Sequence, residues 1–187
     1  ISCISWGLLF VFLPETHKQK TTYSWRQILY ACKKCITNVE FMVSAIMPSL
    51  LYGCYLVFVS IAPFIYMQTM KLTMIMYVVN QAIIIAVFAI GSLLIGALIK
   101  KLGRKKIIII SSLLLAMSIC LLLIAHTPIR LTIAMSLFSL SFAWIYPIVF
   151  SHSMTIFPGN KGLASSVIMS LRYFLCASLT GLVTLIF

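Results

Sequence analysis

The residues able to do chemistry are few in this chain of 187 residues, and their scarcity bounds what it can do. Fourteen Lys and Arg stand against two carboxylates, Glu15 and Glu40. One cation, Arg172, lies inside a long apolar run, where an unpaired charge is costly and must face protein or water. Its guanidinium could hold an anionic solute or a carboxylate on another helix, or it could snorkel along its own stem to the interface. Asn80 and Gln81 interrupt another apolar run. Their amides could line a cavity or hydrogen-bond between helices. Tyr52 and Tyr55, one helical turn apart, and Trp144 and Tyr146 add polar tips to otherwise apolar segments. These residues are the candidates for lining a cavity and contacting a small molecule.

Enzyme chemistry finds no matching constellation. Glu15 and Glu40 flank apolar runs, and nothing in the sequence makes them converge as an acid–base pair must. His17, His126 and His152 fall at different depths along the chain's apolar segments, so no metal site is expected. His152 could join a proton relay or serve as a structural hydrogen-bonding group. Cys32-Lys33-Lys34-Cys35 has the spacing of a metal or redox pair, but no second pair or histidine accompanies it. Two cysteines on the apolar face of a helix is the simpler reading. No catalytic residue, metal or cofactor is expected.

The elements that must position these residues are set by composition. The chain is 63% hydrophobic and 9% charged, with a mean hydropathy of +1.15. A soluble domain of this size could not bury that much apolar surface, so the expected class is an all-α transmembrane protein in a lipid bilayer. A net charge of +12 would suggest nucleic acid in a soluble protein, but here the cations sit in short loops between apolar runs, where they set topology. No nucleic-acid partner is expected.

Residues 1–13 read as the end of a span, closed by Leu13-Pro14-Glu15-Thr16. Residues 14–40 read as a linker. Within it Ser24-Trp25-Arg26-Gln27 fits a capping box, opening a helix with Trp25, Ile28, Leu29, Cys32, Cys35, Ile36 and Val39 on one face. That helix either lies on an anionic membrane surface or is a solvated connector.

Five full spans follow over residues 41–187, at about 41–68, 73–99, 107–125, 131–157 and 163–187. The first, at ~42 Å by helical rise, must tilt, kink or protrude, and Pro48 and Pro63 favour kinks. The pairs Ser92/Gly96 and Ala177/Gly181 suggest close helix packing. The third span, with no charge or aromatic residue, suits a lipid-facing position. Both ends of the chain fall inside apolar runs, so a piece of a longer membrane protein is expected.

Between the second and third spans lies a very basic hairpin, Lys100-Lys101-Leu102-Gly103-Arg104-Lys105-Lys106. Eleven of the fourteen cations fall in one alternating set of loops, two (Lys71 and Arg130) in the other, and Arg172 within a span. The positive-inside rule then puts residues 14–40, 100–106 and 158–162 in the cytoplasm.

Several stretches resemble a known family. Gly96, then Lys100 and Gly103-Arg104-Lys105-Lys106 between two spans, resemble the cytoplasmic hairpin motif of the major facilitator superfamily. Phe12-Leu13-Pro14-Glu15-Thr16, Ala62-Pro63-Phe64-Ile65 and Phe157-Pro158 with Gly162, Ala164, Ser165 and Ser166 resemble its Bcr/CflA drug-resistance branch. The resemblance implies a partial major-facilitator bundle: the end of helix six, a central cytoplasmic linker, and helices seven to eleven, without the last helix. It implies proton-coupled multidrug efflux across the bacterial inner membrane, with the proton-binding carboxylate in the other half. Another small solute, such as an organic anion, or a non-transporting remnant of a split gene are the alternatives. Lys100 stands where the full motif has an aspartate, so this hairpin is expected to orient and pack more than to gate.

Overall fold

The computed structural model describes residues 25–157 and 161–186. The expected span end over residues 1–13, the Ser24 cap and the Pro158-Gly159-Asn160 turn lie outside the described residues. Helix α1 covers Trp25–Thr37. Helix α2 covers Val39–Pro63 and runs into a π-helical turn, Phe64–Thr69. Then come α3 (Met74–Leu102), α4 (Arg104–Leu123), α5 (Pro128–Ile156) and α6 (Lys161–Ile186). Five of these segments are long and apolar enough to cross a membrane among the described residues.

Local chemistry sets the boundaries. The Asn38 side chain accepts the Phe41 amide at 2.9 Å and starts α2. Thr73 and Thr127 cap α3 and α5 in the same way, with Pro128 pre-set at the first position of α5. Pro63 offers no N–H to the α-ladder, and the ladder widens directly after it. The Met70 amide reaches back to the Ile65 carbonyl at 2.9 Å, a five-residue step. Lys71, with φ of 53°, then turns the chain into α3.

The basic hairpin is tighter than its sequence suggests. Helix α3 continues three residues past its expected end, so Lys100 and Lys101 form its last turn. Only Gly103, at φ 81° and ψ 154°, separates α3 from α4. Lys100 and Lys101 favour the negative end of the α3 dipole. Arg104, Lys105 and Lys106 sit at the positive end of α4, where the dipole opposes them. Their placement therefore serves something other than helix stability, as topology-setting cations would.

Helix α5 is the centre of the bundle and its most buried span, packed against α2, α3 and α4. Helix α6 packs chiefly on α2, and α1 lies against α2 and α6. The small-residue pairs expected to pack are corrected by the structure, whereas helix α4 leaves most of its surface outward and packs by one face: Ser111 and Ser118 are fully buried, and the Ser141 hydroxyl of α5 donates to the Ser111 carbonyl at 2.7 Å. Its serines are its packing face, because small side chains let the backbones approach. Ser92 and Gly96 are exposed, and a Cβ at Gly96 would meet nothing within 4 Å. The close approach is one residue away, at Gly91, where a Cβ would come within 2.6 Å of Leu140 Cδ1. Likewise Ala177 is exposed, and α2 meets α6 where a Cβ on Gly53 would reach Leu179 Cδ1 at 2.7 Å.

Candidate functional site

Arg172 lies eleven residues into α6, ~17 Å along the axis from Lys161, too deep for its side chain to reach solvent at that end with ease. It turns inward instead. Its Nη2 donates to the Tyr146 hydroxyl at 2.6 Å and to Met169 Sδ at 2.8 Å. Its guanidinium carbon stands 5.0 Å from the ring centres of both Tyr52 and Tyr146. Two aromatic faces therefore supply the attraction that a carboxylate would otherwise give, worth about 0.5–2 kcal/mol each as solvent is excluded. Nε is buried and makes no hydrogen bond. Residues from three helices, α2, α5 and α6, make this clamp.

An aromatic chain extends the clamp across the bundle. Tyr52 and Tyr146 both lie against Phe142, at 6.1 and 5.5 Å between centroids. Phe142 stacks on Phe88 of α3 at 5.8 Å, and Tyr146 on Phe150 at 5.6 Å. Beside it a cavity of about 160 Å³ opens between α3 and α5, lined by Phe88, Ser92, Ile95, Ala143, Tyr146 and Pro147. Tyr146 belongs to both: it holds Arg172 and lines the cavity. Pro147 lies within α5, where it removes one backbone donor beside the cavity. Trp144, two residues from Tyr146, donates from Nε1 to the Gly91 carbonyl at 3.2 Å and ties α5 to α3.

A second polar cluster lies towards the opposite end of the bundle from the basic hairpin. Thr132, one turn into α5, is its hub. Its hydroxyl is 2.8 Å from the Tyr66 hydroxyl, 2.9 Å from Asn80 Oδ1 and 2.9 Å from the Pro128 carbonyl. Tyr66 is fully buried and comes from the π-helical turn. The Asn80 amide nitrogen donates to the Met76 carbonyl at 2.7 Å. Asn80 thus bonds between helices, the second of its two sequence readings. Gln81 is partly buried, and its Oε1 is enclosed without a donor. Tyr55 packs against the apolar cluster of Phe58, Ala62 and Tyr66.

The structure therefore divides the candidates. It joins Tyr52, Tyr146 and Arg172, while Trp144 turns to the Gly91 carbonyl of α3. It assigns Asn80 to a separate cluster. Tyr66, Thr132, Phe88 and Phe142 carry these sites without having stood among the candidates. At the basic end, His152 Nε2 lies 3.9 Å from Glu40 Oε1, with both side chains largely exposed. Just inside it, the Ser153 hydroxyl donates to Ser44 Oγ at 2.9 Å. Cys32 and Cys35 are both free thiols, and no group of three or more potential metal ligands occurs among the described residues.

The sequence model of the Major Facilitator Superfamily matches residues 1–180. The chain belongs to the major facilitator superfamily. No curated protein matches it. As a major-facilitator chain with five apolar helices, it is a multi-pass membrane protein of a transporter family, and its partners are the bilayer and a small-molecule substrate. Transporters of this architecture bind their solutes near mid-membrane between helices.

Proposed function

We propose that this chain serves in a secondary active transporter of the Bcr/CflA drug-resistance type, exporting hydrophobic drug-like solutes across a bacterial inner membrane in exchange for protons. The observation that carries this reading is the apolar, aromatic cavity sharing Tyr146 with the Arg172 clamp. Stacking surface with a few polar groups suits amphiphilic molecules of varied shape. Of the residues singled out from the sequence, Tyr146 lines the cavity directly, and Tyr52 and Arg172 adjoin it through the clamp, whereas Trp144 braces α5 on α3 and Asn80 lies in the separate Thr132 cluster. The basic end faces the cytoplasm, as the cation count supports. Glu15 and Glu40 are the only carboxylates in the sequence, and Glu40 is exposed at the basic end. Proton coupling in this reading therefore runs through a carboxylate in a further, N-terminal helical half of the transporter.

One observation favours a second reading, an organic anion as solute. Arg172 has no carboxylate within reach among the described residues, and its Nε lacks an acceptor. A desolvated guanidinium repels a cation and attracts a carboxylate or phosphate. Competition transport in membrane vesicles, with a panel of cationic dyes against organic anions of matched size, separates the two. Dye export driven by a proton gradient supports the first reading. Competition by anions alone, with no dye export, supports the second. Labelling a cysteine placed at Lys101 from the periplasmic side would invert the orientation.

A further inference from the structure

Helix α1 carries two kinds of side chain that nothing in the described structure engages. Trp25, Leu29 and Ile36 are 81%, 66% and 57% exposed. At 100° per residue they fall within an arc of about 40° on one side of the helix. Arg26 and Lys33, also exposed, fall together on the edge of that stripe, about 40–60° further round. The other edge is fixed: Cys35 is buried among Phe41, Ala45, Ala164 and Ile168, the first turns of α2 and α6. Asn38, in extended conformation, lets the chain turn between α1 and α2. One edge of α1 is thus docked on the basic end of the bundle, the next face is apolar and open, and the face after that is cationic.

We propose that α1 is a binding site for anionic phospholipid in the leaflet at the basic end. Trp25, Leu29 and Ile36 enter the acyl boundary, and Arg26 and Lys33 hold headgroup phosphates. Three observations select lipid over other occupants. The order of faces is that of a helix lying in an interface, with apolar side chains inward and cations at headgroup level. The apolar stripe continues onto the exposed face of a spanning helix, where Val39, Val43 and Met47 recur at every turn of α2. The surrounding end of the molecule is strongly basic, with Lys100, Lys101, Arg104, Lys105 and Lys106 all exposed at the hairpin, so it attracts anionic lipid. This inference does not depend on which solute is transported.

The test is hydrogen exchange of the full chain in nanodiscs of zwitterionic lipid alone and of the same lipid with about a third anionic phosphatidylglycerol. Two cations close to an anionic surface are expected to raise α1 amide protection about thirtyfold in the anionic discs. Raising salt from about 0.1 to 1 M should remove most of the gain, because the screening length falls to about 3 Å. R26E/K33E should reduce protection in anionic discs to the zwitterionic level while α2 to α6 exchange as before. If that variant does not insert, quenching of wild-type Trp25 by brominated phosphatidylglycerol, scored against W25F, gives the same answer. Equal protection in both discs, insensitive to salt, means that protein covers the stripe and overturns the proposal. So does a lipid response that R26E/K33E leaves intact, or an absence of Trp25 quenching.

Discussion

Replacing Thr132 by valine tests whether the Tyr66–Thr132–Asn80 cluster is one cooperative unit. Valine keeps the shape and deletes the hydroxyl. The Tyr66 phenol, fully buried, then has no partner among its neighbours, and Asn80 Oδ1 loses its donor. Orphaning a buried polar group costs about 1–3 kcal/mol, so T132V should destabilise by about 2 kcal/mol. Tyr66→Phe removes the phenol itself and leaves Thr132 able to donate to Asn80 or to the Pro128 carbonyl. Its expected cost is about 0.6–1 kcal/mol, the range for one interhelical bond in a membrane protein. Independent effects would sum to about 3 kcal/mol, but in Y66F/T132V no phenol remains to be orphaned, so the double variant should lose only about 1.5 kcal/mol. Unfolding equilibria of the four proteins in mixed micelles measure the cycle. Additivity to within about 0.3 kcal/mol would refute the reasoning, since it would mean that the hydroxyls do not share a bond.

Three glycines should separate by mechanism. Gly53→Val forces branched carbon into Leu179 and Cys176 and should cost about 1–3 kcal/mol by pushing α2 from α6. Gly96→Ala meets nothing and should be neutral or stabilising by up to about 1 kcal/mol. Gly103→Ala also meets nothing, yet its backbone lies where L-residues are strained, so a loss of about 1–3 kcal/mol is expected. Thermal unfolding of the three variants ranks them, and a Gly103→Ala as stable as Gly96→Ala would contradict the strain argument. Burial raises the Cys35 thiol above its ordinary value of 9.0, with Cys32 adding and Lys34 opposing. The neutral thiol then favours docking of α1 below the ordinary thiol range, and that contribution is lost as pH rises through the raised value. Maleimide should label Cys32 well before Cys35 at neutral pH, as mass mapping would show, and equal rates would mean that α1 is not docked.

The spans were legible because length and apolarity alone define them, and caps such as Thr73 and Thr127 announce their starts. The end of α3 was not, because Lys100 and Lys101 look like loop residues in a hydropathy reading although the helix C-terminus favours them. The packing face of α4 was hidden for another reason. A serine in a helix satisfies itself on the carbonyl four residues back, as Ser111 does at 2.7 Å and Ser112 at 2.8 Å. Sequence therefore cannot tell buried Ser111 from exposed Ser112. Small-residue spacing pointed to Ser92 and Gly96, whereas the register of α3 on α5 selects Gly91. For the candidate site, the chemistry of Arg172 was readable as a charge needing a partner. Its partners were not, since Tyr52 and Tyr146 come from other helices and meet it only through the packing of α2, α5 and α6. Pro63 signalled a break, but not that a π-helical turn would bring Tyr66 to Thr132.

The central claim is that the Arg172 clamp contacts the transported solute. Solute transport by the full transporter carrying R172K or R172Q, normalised to folded protein in the membrane, tests it most directly. Lysine keeps the charge but lacks the planar fork that lies between two rings, so R172K should retain partial transport. R172Q should lose at least about tenfold in transport per folded molecule, the equivalent of ~1.4 kcal/mol of lost solute interaction, beside a loss of stability of about 1–2 kcal/mol from the broken ring contacts that the normalisation removes. Wild-type transport by a folded R172Q protein would contradict the account.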